Sequence, residues 1–129
     1  MPPPEGASPV GVHIVTDDDR VRQAGRSLPA DRFAVTFSAS ATDALAQVRK
    51  TRPSVAVLEL RLGDYGGFAL AKDLHALPSM RDLPLVMLCD RPHDRWLCRQ
   101  AGAREVIVKP LPDPTVLLDA LDGALLPSG

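Results

Sequence analysis

Two hydrophobic periodicities alternate along this chain. Short runs of β-branched and other apolar residues occur five times, in the segments VGVHIV, RFAVTFS, VAVLEL, LPLVMLC and EVIVK, and each run predicts a β-strand. Between these runs, apolar residues recur every three or four positions, which is typical of helices that pack on one face. The pattern therefore predicts a strand–helix unit repeated five times.

Each predicted helix has an apolar stripe, and most have a start or stop signal. Ser40 is a candidate N-cap of the second helix, and we expect Pro53 to close it. The fourth helix is expected over residues 90–101, and the fifth should begin near Pro112 or Pro114. The stripes are, in chain order, Val21, Ala24 and Leu28; Ala41, Ala44, Leu45 and Val48; Leu70, Leu74 and Leu77; Trp96 and Leu97; and Leu117, Leu121, Ala124 and Leu125.

Strict alternation of strands and helices with short connections predicts the α/β class. The expected architecture is a single (βα)5 unit, a doubly wound parallel sheet covered by helices on both faces. The near-continuous apolarity of VAVLEL predicts a strand that is buried on both faces. We place the domain at residues 10–126, after a Pro-rich tail over residues 1–9 that we expect to be disordered and before a C-terminal tail over residues 127–129.

Composition and charge exclude several function classes. The net charge is -1 and no basic stripe is visible, so we expect no nucleic-acid binding. No apolar run approaches the roughly 20 residues that span a bilayer, and no signal peptide is visible, so we expect a cytoplasmic protein without membrane contact. Cys89 and Cys98 lack metal or redox spacing, which favours free thiols in a reducing compartment.

Chemically active side chains follow the predicted strands at their carboxyl ends, where sites in parallel sheets lie. Thr16 and Asp17 follow the first strand, Glu59 ends the third, Cys89 ends the fourth, and Lys109 follows the fifth. Carboxylates bind hard cations such as Mg²⁺, and a lysine neutralises phosphoryl oxygens. The edge therefore predicts a place for a phosphoryl group with a divalent metal. No GxGxxG or P-loop motif follows the first strand, which argues against a nucleotide enzyme.

Four segments carry a family resemblance: VHIVTDDDRVR, VAVLELRLGDYGG, LPLVMLC and AGAREVIVKPL. Over about residues 10–126 the chain resembles the receiver domain of two-component response regulators, of the chemotaxis-regulator type. The resemblance implies a flavodoxin-like fold with strand order 2-1-3-4-5 and a non-enzymatic signalling role. It also implies a cis peptide bond between Lys109 and Pro110, a minority isomer even before proline.

The same resemblance marks departures from the family pattern. It places Glu59 where family receivers accept phosphate on an aspartate, and Lys109 at the position of the lysine that contacts the phosphoryl group. Thr16 and Asp17 stand at the positions of the usual acidic pair, with Asp18 next to them. The two switch residues of the family are a hydroxyl in the fourth strand and an aromatic ring in the fifth; Cys89 and Val106 stand at these positions here.

These departures predict a receiver that signals without phosphorylation. Glutamate is one methylene longer than aspartate, about 1.5 Å of reach, whereas such sites need placement within about 0.5 Å. We expect Glu59 to form a permanent ion pair with Lys109, resembling a phosphorylated site with about one negative charge instead of roughly two. Asp17 and Glu59 are the residues that could coordinate Mg²⁺, and no other cofactor is expected.

Three alternatives remain open from the sequence. The domain could keep Mg²⁺-dependent binding of a phosphoryl group or a phosphate analogue. Cys89 could be a redox-switch thiol activated by Lys109, although a small buried hydrophobic role is the simpler account. Glu59 could also be an ordinary paired carboxylate without a signalling role.

The expected output is contact with a protein partner. The resemblance implies a partner surface formed by the fourth helix, fifth strand and fifth helix, with Trp96, Leu97, Val116 and Leu118 as candidate contact residues. In the alternative, Trp96 folds against the domain. One domain fills the 129 residues, so we expect a stand-alone module. We do not expect a sensor kinase to act on Glu59, and the sequence leaves open whether a homodimer forms.

Overall fold

The computed structural model describes residues 9–63 and 66–127. Most of the predicted N-terminal tail and the end of the C-terminal tail lie outside these residues. The described strands and α-helices are, in chain order, β1 (Val10–Val15), α1 (Asp19–Arg26), β2 (Phe33–Ser38), α2 (Ala41–Thr51), β3 (Val55–Glu59), α3 (Gly67–Ala76), β4 (Leu85–Cys89), α4 (Arg95–Gln100), β5 (Glu105–Val108) and α5 (Pro114–Leu125). Single 3₁₀ turns lie at Pro78–Met80 and Pro92–Asp94.

The five strands form one parallel sheet in the order β2-β1-β3-β4-β5. This is the flavodoxin-like arrangement, so the predicted fold class and strand order are confirmed. Successive strands are added on one side of β1 first (β2) and then on the other (β3, β4, β5), so the strand order switches between β1 and β3. Ligands bind at such a switch point in open α/β sheets. Among residues 9–63 and 66–127, no helix has the length and apolarity needed to cross a membrane.

Two apolar layers hold the helices against the sheet. Side chains of β3 and β4 alternate between the layers: Leu58 and Met87 face the side of α2, α3 and α4, whereas Val57 and Val86 face the side of α1 and α5. All positions of β3 are buried, as the apolar run predicted. The core therefore fixes both faces of the central strand that ends at Glu59.

Helix boundaries follow the local start and stop signals. Ser40 caps α2 by accepting a hydrogen bond from Asp43 N at 3.2 Å, as predicted. The C-cap is Arg52, which adopts the left-handed conformation (φ 49°) immediately before Pro53. Proline disfavours a helical conformation in the residue that precedes it, so the helix ends there.

Three predicted helices are longer than the observed ones. The stripe of the third included Leu77, but α3 ends at Ala76, and Leu77 is extended before Pro78. The stripe of the first helix included Leu28, but α1 ends at Arg26, and Leu28 is buried after the helix. Leu28 precedes a proline, which restricts it to extended conformations. The fourth helix was predicted over residues 90–101, but Arg91 is extended before Pro92, and only Arg95–Gln100 forms an α-helix.

A buried histidine joins the two strands at one edge of the sheet. His13 on β1 is paired in register with Thr36 on β2 and is completely buried. Its Nδ1 lies 2.6 Å from Thr36 Oγ1, and its Nε2 lies 2.8 Å from Ser38 Oγ. Burial lowers the pKa of His13, because the charged ring would lose its hydration.

We predict that this histidine makes stability fall in mild acid. The unfolded chain binds the proton with a pKa of about 6.5, whereas the folded His13 binds it less readily. Its stabilising contribution is therefore complete above about pH 6.5 and decreases as the pH falls toward the lowered folded pKa. Urea unfolding across this range measures the effect. His13→Gln should remove this part of the pH dependence, whereas His93→Gln should keep it; equal slopes in His13→Gln and the wild type would contradict the assignment.

Candidate functional site

The carboxyl edge of the sheet brings together side chains from three strand ends and one helix start. Thr16 follows β1, Glu59 is the last residue of β3, and Lys109 follows β5. Asp18 is the N-cap of α1 and accepts a hydrogen bond from Arg20 N at 2.9 Å. The parallel sheet therefore brings these four residues, from three distant parts of the sequence, together at its carboxyl edge.

An ion pair between Glu59 and Lys109 forms the centre of this place. Lys109 Nζ lies 2.5 Å from Glu59 Oε1. The other carboxylate oxygen, Oε2, accepts a hydrogen bond from Thr16 Oγ1 at 2.6 Å. Glu59 is only 3% exposed, so its carboxylate oxygens need partners from the protein. Lys109 and Thr16 provide one partner for each oxygen.

Two further carboxylates surround the ammonium group. Lys109 Nζ lies 3.2 Å from Asp18 and 3.7 Å from Asp90. Burial alone would lower the pKa of Lys109, but the hydrogen bonds and charges of Glu59 and Asp18 raise it above its usual value. Burial likewise acts to raise the pKa of Asp18, but the Arg20 amide and Lys109 lower it. Lys109 and Asp18 therefore stay charged across the neutral range.

Thr16 organises this cluster although it carries no charge. Its hydroxyl donates to Glu59 and accepts a hydrogen bond from Asp18 N at 3.0 Å. Thr16 is completely buried and links the end of β1 to the end of β3. The sequence placed Thr16 in an acidic pocket by position alone, whereas the structure shows it as the donor that holds the second oxygen of Glu59.

The three acidic-pocket positions do not all contribute in the same way. Asp18, rather than Asp17, reaches Lys109. Asp17 is exposed and lines a separate depression with Ser40 and Gly63. Asp17 makes no hydrogen bond or ion pair with any residue in the described ranges. The signal for Asp18 was its position as a helix cap, which also directs its side chain toward the strand edge.

These residues do not fit a bound Mg²⁺ through Asp17 and Glu59. A hard divalent cation takes oxygen ligands with free lone pairs, but the oxygens of Glu59 already face an ammonium group and a hydroxyl. Within residues 9–63 and 66–127, no group of three or more histidine, cysteine, aspartate or glutamate side chains is placed to hold a metal. The Lys109 ammonium is the cation that these carboxylates contact.

An open pocket lies beside Lys109 at the same edge. It is lined on one side by Asp18, Arg20 and Val21 and on the other by residues 109–111 and Asp90. The peptide bond between Lys109 and Pro110 is cis, which is the isomer that the resemblance implied. The pocket leaves part of the lysine side chain, 18%, accessible to solvent.

A family model described as "Response regulator receiver domain" matches residues 12–122. The chain belongs to the response regulator receiver domain family. Receiver domains of this family function in two-component signalling, and the segments that matched the pattern of the family carry Thr16, Glu59, Cys89 and Lys109 at the strand ends described above.

Similar proteins extend this assignment. The receiver is 32% identical over 117 residues to "Transcriptional regulatory protein CseB" of Streptomyces coelicolor, covering 88% of this chain and 48% of that protein. It is 31% identical over 108 residues to "Transcriptional regulatory protein PrrA" of Mycobacterium leprae, covering 81% of this chain and 46% of that protein. The chain therefore spans about half the length of these curated relatives.

A solved structure shows the same fold. The chemotaxis response regulator CheY4 of Vibrio cholerae superposes with a TM-score of 0.83 at 26% identity. The superposition covers 92% of this chain and all of that one. The strand order of this receiver is thus shared with a chemotaxis regulator along nearly its whole length.

The two positions that the resemblance marks as switch residues carry side chains with little polar capacity. Cys89 is buried, and its thiol donates to the Arg91 carbonyl oxygen at 3.4 Å. Val106 is half-buried against the layer that includes α4. The Lys109 ammonium contacts carboxylates, and Cys89 is not among the partners recorded for it in the described residues. The hypothesis of a Cys89 thiol activated by Lys109 therefore gains no support from these contacts.

The candidate partner residues have different exposures. Trp96 on α4 is 65% exposed, so it does not fold against the domain. Leu97 on α4 and Val116 and Leu118 on α5 are half-buried and pack against the core. Trp96 is therefore the member of this set with the largest free apolar surface.

One buried charge was missed by the sequence analysis. Asp94 is 7% exposed and lies 3.8 Å from Arg61, 3.6 Å from Arg91 and 3.9 Å from His93. Its Oδ2 accepts no hydrogen bond from the part of the chain that the structure describes. The acidic residue stands alone among basic neighbours in RPHDR, and that contrast is the signal that could have identified it.

Gly67 packs directly against the backbone of Glu59. Gly67 is the first residue of α3, and a Cβ built on it would lie 1.7 Å from the Glu59 carbonyl oxygen. Only glycine allows the helix to begin this close to the end of β3.

We predict that Gly67→Ala lowers the free energy of unfolding by about 2 kcal/mol or more. The clash outweighs the better helix propensity of alanine, since overpacking typically costs about 1–3 kcal/mol. Urea unfolding measures the change. Gly11→Ala is the matched control, because its added Cβ meets nothing closer than 3.4 Å. Equal losses in the two variants would contradict the account.

Proposed function

We propose that this receiver acts in two-component signalling without being phosphorylated, and that its output is contact with a protein partner. One observation carries the proposal: both oxygens of Glu59, the residue at the phosphoacceptor position, are held inside the protein by Lys109 and Thr16. On this proposal, the permanent ion pair between Glu59 and Lys109 takes the place of the negative charge of a phosphoryl group, which a typical receiver gains and loses.

The position of the Glu59 carboxylate supports this proposal. A carboxylate that accepts a phosphoryl group must present a free oxygen to the incoming phosphorus atom. Here one oxygen contacts an ammonium group at 2.5 Å, and the other accepts a hydrogen bond at 2.6 Å. The extra methylene of glutamate carries the carboxylate about 1.5 Å further toward that ammonium than an aspartate would reach. On this proposal, the Glu59 side chain occupies the space in which phosphoryl oxygens would meet Lys109.

The residues at the switch positions support the same proposal. A thiol is a weak hydrogen-bond donor, and the Cys89 thiol is directed to the carbonyl oxygen of Arg91. Val106 has no ring that could move between buried and exposed rotamers. The side chains that would report phosphorylation are therefore absent from both positions, which fits a pocket that holds one state.

The proposed output surface is formed by α4, β5 and α5. Trp96 gives it an exposed aromatic group, and Val116 and Leu118 give it half-buried apolar groups. Exposed aromatic residues of this kind are frequent anchors of protein interfaces. On this proposal a sensor kinase has no chemical step to perform at Glu59, and the level of the protein or of its partner sets the signal.

Treatment with acetyl phosphate and Mg²⁺ tests the proposal. We expect the intact mass of the wild-type chain to show no added phosphoryl group, and its amide NMR spectrum to stay unchanged around Glu59 and Lys109. Glu59→Asp is the matched variant, since it withdraws the carboxylate from Lys109 by about 1.5 Å while keeping its charge.

Two results would contradict the proposal. Phosphoryl uptake mapped to Glu59 of the wild type would show that the ion pair opens for chemistry. Mg²⁺-dependent shifts that spread from Glu59 to α4 would support the alternative function, a receiver that still binds phosphoryl groups or their analogues. Uptake confined to Glu59→Asp would agree with the proposal, because it would show that reach and pairing block the reaction.

A further inference from the structure

Two thiols lie close enough to interact at the end of β4. Cys89 is the last residue of that strand, and Cys98 lies on α4, which packs against it. Both belong to the same apolar layer; Cys89 is 2% exposed and Cys98 is completely buried. The sequence spacing gave no sign of a pair, because the packing of α4 against β4, after the 3₁₀ turn at Pro92–Asp94, is what brings the two residues together.

The surroundings of the two thiols differ. The Cys89 thiol donates to the carbonyl oxygen of Arg91, an exposed residue of the loop that covers the strand end. Burial and, after it, the interaction with Cys89 together raise the pKa of the Cys98 thiol to about 12. Cys98 therefore remains a protonated, completely buried thiol, and Cys89, at 2% exposure, is the one that solvent reaches first.

We propose that Cys89 and Cys98 form an intramolecular disulfide on exposure to a peroxide, with Cys89 reacting first and Cys98 resolving. The pair lies inside the described fold and requires no second copy and no partner. The inference is independent of the proposed function, since the chemistry takes place in the isolated receiver.

The reaction balances in two steps. The Cys89 sulfur attacks one oxygen of hydrogen peroxide, the O–O bond breaks, and sulfenic acid and water form; sulfur is oxidised and peroxide is reduced. The Cys98 sulfur then attacks the Cys89 sulfur, its proton leaves with the sulfenic oxygen as a second water, and an S–S bond of about 2.05 Å forms. The overall change is the loss of two hydrogen atoms from the protein.

The bridge would act on the loop and helix that carry the exposed tryptophan. It closes residues 89–98 into a covalent ring that contains the 3₁₀ turn and the first turn of α4. Trp96 lies within this ring and is the single tryptophan of the chain. Its fluorescence therefore reports the bridge without an added label.

Intact-mass measurement on the full chain tests the proposal. The reduced protein, freed of reductant, is treated with hydrogen peroxide in native buffer, and remaining thiols are then blocked with N-ethylmaleimide under denaturing conditions. We expect the wild type to lose two hydrogens, to take up no maleimide and to change its Trp96 emission. Added dithiothreitol should restore both thiols and the original emission.

Single variants separate the roles of the two thiols. In Cys98→Ala the reaction should stop at a Cys89 sulfenic acid that dimedone captures. In Cys89→Ala the buried Cys98 should stay reduced and take up one maleimide. The proposal is overturned if wild-type protein keeps two free thiols, if oxygen is added without a disulfide, if the bridge forms only in urea, or if Cys89→Ala reacts as fast as the wild type.

Discussion

A buried contact between an ammonium group and a carboxylate holds the strand ends of this receiver together. Lys109 after β5 and Glu59 at the end of β3 meet at 2.5 Å, although β4 lies between their strands. Neither charge could be placed in this interior alone, because an unpaired buried charge is strongly unfavourable. Thr16 and Asp18 satisfy the groups that the ion pair leaves without a partner: Thr16 donates to the second carboxylate oxygen of Glu59, and Asp18 contacts the Lys109 ammonium group.

The same contact explains why several departures from the family pattern occur together. On the proposed function, Glu59 satisfies Lys109, so a metal at the first strand and a hydroxyl in the fourth have no phosphoryl group to stabilise. Thr16 can then serve as a donor instead of a metal ligand, and Cys89 can pack as a small apolar residue with a thiol. A pocket built around an internal cation is consistent with one fixed signalling state.

Much of the fold was readable from the sequence because each element carries its own local signal. Apolar runs located all five strands, and Ser40 located the start of α2. The boundaries that were wrong, in the first, third and fourth helices, lie where a proline restricts the residue before it. Such an effect is local, yet it competes with a periodic pattern that continues past the boundary.

The site was less readable, because contacts across the fold decide it. The choice of Asp18 over Asp17 depends on the direction of a capping side chain. The neighbouring Cys89 and Cys98 depend on how α4 packs against β4. Pairs of this kind become visible only when the elements are placed in three dimensions.

A double-mutant cycle between Glu59 and Lys109 tests the central claim most directly. Glu59→Gln and Lys109→Met each leave one buried charge without its main partner, so each should destabilise the domain, and the double variant should recover part of the loss. We expect a coupling free energy of about 2 kcal/mol or more from urea unfolding. The exposed pair Arg32–Asp122, at 2.7 Å, is the control, for which we expect about 1 kcal/mol or less. Additivity of Glu59→Gln and Lys109→Met within about 0.5 kcal/mol would contradict the account.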